Sequence, residues 1–158
     1  LRTAANEALT KKFGPGHWSG GVTERWVRFL MRNEHVYAMR RRGKIIATLT
    51  LATKKPWAIN RELMTKVGRP LYLIDMAVAP EWQRKGIGRA CIRDAVRIAK
   101  AWPADSLVLD AYDAKAGAAG FYAACGFREI GRAPYKGVPL VYFERLLGKP
   151  TSSSKVGS

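Results

Sequence analysis

IDMAVAPEWQRKGIGRA, residues 74–90, carries the reading of the whole chain. An apolar stretch ends at Pro80, a charged segment follows, and Gly86 and Gly88 then open a run whose apolar residues Ile92, Ala95, Val96 and Ala99 recur at helical spacing. The first amides of a helix lack intrahelical partners and face outward with partial positive charge. Glycines that clear side chains from such an end, among Arg84, Lys85 and Arg89, mark a site for an anion, and a phosphate suits it best.

Two well-known phosphate loops do not fit. A nucleotide-hydrolysing loop requires G-x-x-x-x-G-K-[ST], but Gly86 and Gly88 stand two apart with no Lys and hydroxyl pair after them. A dinucleotide fingerprint requires a third glycine where this chain has Cys91, and a direct strand-to-helix turn where it has the charged Pro80–Lys85 segment.

Outward from this stretch, residues 2–12 read as a short helix broken by Gly14, Pro15 and Gly16, and Val22, Trp26, Phe29 and Leu30 give the stripe of a second helix. Strands are expected at 36–41 and 44–53 around an Arg42–Gly43 turn, and residues 54–70 form an irregular connection. Leu71–Val78 is the clearest strand, the helix follows over 88–101, and 107–110 is a short strand that the crossover leaves parallel to it. Asp113 is the expected N-cap of a small-residue helix, AKAGAAGFYAAC, ended by Gly126, and strands at 127–132 and 138–146 close the chain. One domain over 1–148 and a disordered tail over 149–158 are expected, for a chain of 158 residues with 47% hydrophobic content.

Composition narrows the partners. No apolar run reaches membrane-spanning length, and no export signal opens the chain, so a cytoplasmic protein without a membrane partner is expected. Cys91 and Cys125 pair neither with each other nor with His17 and His35 in a metal pattern, so no metal site is expected. The 28 Lys and Arg against 12 Asp and Glu give +16, a field that attracts polyanions and repels polycations. Arg89, Arg93, Arg97 and Lys100 share one helical face, and Arg25, Arg28 and Arg32 another.

Taken with FYAACGF, residues 121–127, the opening stretch resembles the GNAT superfamily of N-acetyltransferases: a V-x-P strand end, then [QR]-x-x-G-x-[GA], then an FY-x-x-x-GF box. The resemblance spans about 22–147 and implies an α/β fold with a mixed sheet whose central parallel strand pair splays apart, flanked by helices. The family's usual first strand is not evident before residue 20; either it lies upstream of Leu1 or the N-terminus departs from the pattern.

The resemblance implies acetyl-CoA as acyl donor and a primary amine as acceptor, joined by direct attack in a ternary complex. It implies contacts to the donor from Met76, Ala77 and Val78 on the strand and from Arg84, Lys85, Gly86, Ile87, Gly88 and Arg89 at the turn. Tyr122 is then the proton donor to the departing sulfur, the Val78 amide the oxyanion contact, and Asp110 or Asp75 the base. Where many relatives carry Asn seven residues before the tyrosine, this chain has Lys115. The acceptor pocket is expected around the first helices and Trp57, with His17, Trp18 and Glu24 as candidates, and Glu24, Asp75, Asp110 and Asp113 could converge there. The net charge argues for a neutral or anionic amine, or one on an RNA-linked polyanion, over a polycation. The alternative class is a nucleic-acid- or ribosome-binding protein on the same fold, and a homodimer remains open.

Overall fold

The computed structural model describes residues 1–148; the expected tail at 149–158 lies outside the described residues. In chain order come α1 (Arg2–Phe13), a 3-10 turn at His17–Ser19, α2 (Glu24–Asn33), β1 (His35–Arg41), β2 (Lys44–Ala52), β3 (Pro70–Val78), α3 (Ile87–Ala101), β4 (Ser106–Tyr112), α4 (Ala119–Ala124), β5 (Arg128–Tyr135) and β6 (Val138–Leu146). The strands form one mixed six-stranded sheet in the order β1-β2-β3-β4-β6-β5. Among the described residues only β3 and β4 run parallel. Among the described residues no strand precedes β1, so two helices open the fold, as the sequence suggested.

Period-two alternation divides the side chains between the faces of the sheet. Leu71, Leu73, Leu107, Leu109, Val141 and Phe143 pack with Cys91, Ile92, Ala95, Val96 and Ala99 of α3 on one face. Tyr72, Val108, Leu140 and Tyr142, the intervening residues, pack with Ala52 and Ile59 on the other. Each large apolar side chain so buried contributes about 1.5–3 kcal/mol. Glu144 continues the second row and is buried, where its carboxylate accepts hydrogen bonds from the Thr65 hydroxyl (2.6 Å) and amide (3.2 Å). The 54–69 connection is thereby fastened over that face.

Two features of the sheet create the site. β3 and β4 pair only at Pro70–Ser106, Leu71–Leu107 and Tyr72–Val108, after which they diverge. On its other side, β3 pairs Ile74 with Thr50 and Ala77 with Thr48, so Asp75 and Met76 together oppose Leu49. Asp75 forms this bulge with φ 54, a left-handed conformation that aspartate tolerates better than most residues. The bulge bends β3 away from β4 and opens a groove between them.

Two expectations are corrected. Asp113 caps no helix: its amide donates to Pro139 O (3.0 Å) and its carboxylate accepts from Arg132 (2.9 Å), which ties it to the sheet's end, and α4 begins only at Ala119. The α2 stripe is not a core stripe either, because only Leu30 is buried while Trp26 and Phe29 are 46% and 48% exposed. Thr23 caps α2 by accepting from the Trp26 amide, and Val22 precedes the helix.

Candidate active site

The turn before α3 is a cradle of backbone amides. Arg84 (φ 57) and Gly86 (φ 79) both adopt the left-handed conformation, which curls successive N–H groups toward one side. The first helical bond returns from Ala90 N to Gly86 O, and the amides of Arg84 to Arg89 make no backbone hydrogen bond among the described residues. The glycines have different jobs. A Cβ on Gly86 would meet nothing within 4 Å, so its glycine serves the φ angle, whereas a Cβ on Gly88 would lie 3.0 Å from Phe121 Cζ and 3.6 Å from Met76 Cε. Gly88 therefore lets α3 seat against Phe121, and it also borders the opening beside Gly86.

The side chains around the turn bring charge. Arg84 and Arg89 border the opening, Arg89 steadied by the Ala124 carbonyl at the end of α4 (3.3 Å). Lys85 and Arg41 lie over the Trp82 ring at 5.2 and 4.9 Å from its centroid. Ile87 turns its side chain toward the core, leaving its amide as its contribution to the cradle.

From the cradle a cavity of about 530 Å³ runs along β3 to Tyr122, bordered by Met76, Ala77, Val78, Gly86, Gly88 and Phe121. The antiparallel ladder of β2 and β3 bonds Ala79 N to Ile46 O, so alternation turns the Val78 N–H and C=O away from β2 and into the splay. Gln83 Nε2 donates to that Val78 carbonyl (3.2 Å). Ala77, paired with Thr48, directs its backbone toward β2 and lines the cavity only with its side.

A second cavity, about 400 Å³, meets the first at Met76, Ala77, Ala116, Ala118 and Tyr122. It holds both candidate carboxylates. Asp110 sits on β4 beyond the splay, where burial pushes its pKa above the ordinary carboxylate value. Asp75 is instead ion-paired with Arg2, whose Nη2 also donates to the Asp75 carbonyl (3.0 Å). The Tyr122 ring is bedded against Phe121, Phe127 and Phe143 at centroid distances of 5.2, 5.9 and 6.1 Å. Burial first, and the Asp110 charge second, raise the Tyr122 pKa, so the phenol is protonated at neutral pH.

Of the acceptor-pocket candidates, His17 and Trp18 line this cavity, whereas Glu24 pairs with Arg28 on α2 and Trp57 stands 88% exposed elsewhere. Asp113 is held by Arg132, so only Asp75 and Asp110 converge. Lys115 is exposed and borders neither cavity. Sequence reading missed Arg2, Asn6 and Leu9, which share one face of α1 at i, i+4, i+7 and line the second cavity, Asn6 and Leu9 bordering the first as well; their mixed chemistry shows no apolar period. It also missed Tyr112, whose signal is its place two residues beyond Asp110 on the same face of β4.

Solved structures share this architecture at identities where likeness speaks for the fold. A ribosomal-protein-alanine N-acetyltransferase from Brucella melitensis has TM-score 0.65 and 18% identity, over 93% of this chain and 92% of that one. A GNAT family acetyltransferase from Elizabethkingia anophelis, solved with acetyl-CoA bound, has TM-score 0.58 and 18% identity, over 79% and 84%. An IAA acetyltransferase from Bacillus cereus ATCC 14579 has TM-score 0.61 and 20% identity, over 90% and 95%. No curated protein matches the chain by sequence. The family model described as the acetyltransferase (GNAT) family matches residues 4–127, and a match over that much of the chain makes it a member of the GNAT acetyltransferase family.

Proposed function

We propose that the protein is an N-acetyltransferase that moves an acetyl group from acetyl-CoA to a primary amine by direct attack, both substrates being bound together. The observation that carries this reading is the meeting of two cavities at Tyr122, one leading from an anion cradle and the other holding two carboxylates. Acetyl-CoA is the donor co-substrate: its pyrophosphate suits the unpaired amides of Arg84 to Arg89 with Arg84, Lys85 and Arg89, and its amide-bearing arm suits the open side of β3 at Met76 and Val78. Solved relatives with acetyl-CoA bound support the assignment.

The donor supplies an activated thioester carbon and a thiolate leaving group. The residues do the rest. Asp110, with its raised pKa, takes the proton that the amine gives up as its nitrogen bonds to the carbonyl carbon. Asp75 is the lesser candidate for base, since its ion pair with Arg2 favours the carboxylate over the acid. The Val78 N–H, turned into the splay, donates to the developing oxyanion. As the carbon–sulfur bond breaks, Tyr122 gives its proton to the sulfur. The Asp110 charge helps to raise the phenol's pKa, so protonation of Asp110 in the first step makes Tyr122 a better acid for the last. A panel of primary amines with acetyl-CoA, followed by thiol release, tests the reading; a folded protein that binds acetyl-CoA and acetylates none of them would refute it.

A second reading has its own observation. On α2, Trp26 and Phe29 stack at 5.3 Å and 16° on the exposed surface, beside Arg25, Arg28 and Arg32. Exposed rings among arginines suit single-stranded nucleic acid, which would dock beside an otherwise enzymatic domain. RNA binding that weakens with salt and is lost in Trp26→Ala supports it; RNA binding unmoved by that change argues against it.

A further inference from the structure

The second cavity carries more chemistry than a generic amine site requires. One wall is aromatic: His17 is stacked on Tyr112 at 6.4 Å and 25°, and Trp18 meets Tyr112 edge-on at 6.1 Å and 66°. These rings are not core residues, since His17 is exposed and Trp18 and Tyr112 are half-buried against the cavity. They are also held in place. The Tyr112 hydroxyl donates to the His17 carbonyl (3.3 Å) and Trp18 Nε1 donates to the Gly14 carbonyl (3.1 Å), so the wall is set before any ligand arrives.

Beside this wall the same cavity is charged, and its balance is specific. Asp75 and Asp110 supply two carboxylates and Arg2 one guanidinium, already committed to Asp75, so the three side chains leave one net negative charge. One ammonium is balanced there. A second ammonium on the same ligand would face the Arg2 guanidinium, at the edge of a protein of net charge +16. The volume, about 400 Å³, is at the small end for ligand pockets and suits one ring and a short chain.

We infer that the acceptor is a primary amine with a single positive charge and a flat apolar body, of the arylalkylamine class. The inference rests on the N-acetyltransferase reading for its chemistry, but not for its binding. The ring body stacks on the Trp18 and Tyr112 wall while the amine reaches toward Asp110, next to Tyr122.

The test uses three probes at physiological ionic strength, where surface charge is screened over about 8 Å: 2-phenylethylamine, hexylamine and spermidine. Two quantities are read, kcat/KM with acetyl-CoA and the calorimetric Kd of each amine on the protein saturated with CoA. Phenylethylamine should exceed hexylamine on the order of tenfold in both, with spermidine weakest. Trp18→Leu should bring the ratio to within about twofold of one, and Trp18→Phe should restore most of it. Hexylamine equal to phenylethylamine in the unmodified protein, or spermidine first, overturns the inference. A binding preference without turnover upholds it and refutes the acetyltransferase reading instead; turnover of all three without preference does the reverse.

Discussion

Replacing Gly86 or Gly88 by alanine should weaken the protein through two different routes, which a cycle with Phe121→Leu separates. At Gly88 the new Cβ would sit 3.0 Å from Phe121 Cζ and 3.2 Å from Cε2, closer than side-chain carbons settle, so the ring must give way. Overpacking of this kind costs about 1–3 kcal/mol. At Gly86 the new Cβ meets nothing within 4 Å, but φ 79 is retained at about 1–2 kcal/mol for an L-residue. For a chain this long each lost kcal/mol lowers Tm by roughly 2–4 °C, so the single variants look alike in a melting curve. Their coupling to Phe121 does not. Trimming Phe121 to Leu makes the room that the added methyl group at position 88 needs, so Gly88→Ala and Phe121→Leu should be less damaging together than their sum by about 1 kcal/mol. Gly86→Ala and Phe121→Leu should add within about 0.5 kcal/mol. The assay is denaturant unfolding of the parent, the single variants and the two double variants, with calorimetric acetyl-CoA affinity beside it. Additivity at 88 and 121 would refute the claim that Gly88 exists to seat α3 on Phe121.

Tyr122→Phe should lower turnover by about 10²- to 10⁴-fold while leaving acetyl-CoA affinity near that of the parent, checked by single-turnover kinetics and calorimetry. Because burial raises the Asp110 pKa, kcat/KM should rise with pH along a limb above the ordinary carboxylate range, and Asp110→Asn should remove that limb with the activity. The same shift has a stability consequence of definite sign. A carboxyl whose folded pKa exceeds its unfolded value binds more protons when folded, so its ionisation costs stability as pH rises, and Asp110→Asn should melt higher than the parent at neutral pH. Glu144→Ala should lose roughly 1–3 kcal/mol in denaturant unfolding, because the Thr65 hydroxyl and amide lose the partner beneath their loop.

What could be read from the sequence is what neighbouring residues decide among themselves. The amides of Gly86 to Arg89 are left free by helix geometry, a glycine is demanded at position 86 by one φ angle, and the alternation of Leu71, Tyr72 and Leu73 sorts those side chains between two faces. The cradle, the strands and Tyr122 on its short helix were legible for that reason. Long-range contacts were not. Arg2 reaches Asp75 across 73 positions, and Tyr112 reaches His17 across 95. Those contacts decide that Asp75 is paired, that Asp110 is the carboxylate without an ion pair among the described residues, and that an aromatic wall adjoins it. Glu24 and Asp113 carry the same charge as Asp110, yet lie outside the cavity because Arg28 and Arg132 hold them elsewhere. Trp57 and Trp18 have the same side chain, but only Trp18 sits on a loop that Tyr112 fastens across the splay. Local sequence sets which groups a segment can offer; the bulge at Asp75 and the parting of β3 from β4 after Tyr72 and Val108 decide which of them share a cavity, because only packing between distant segments fixes a distance.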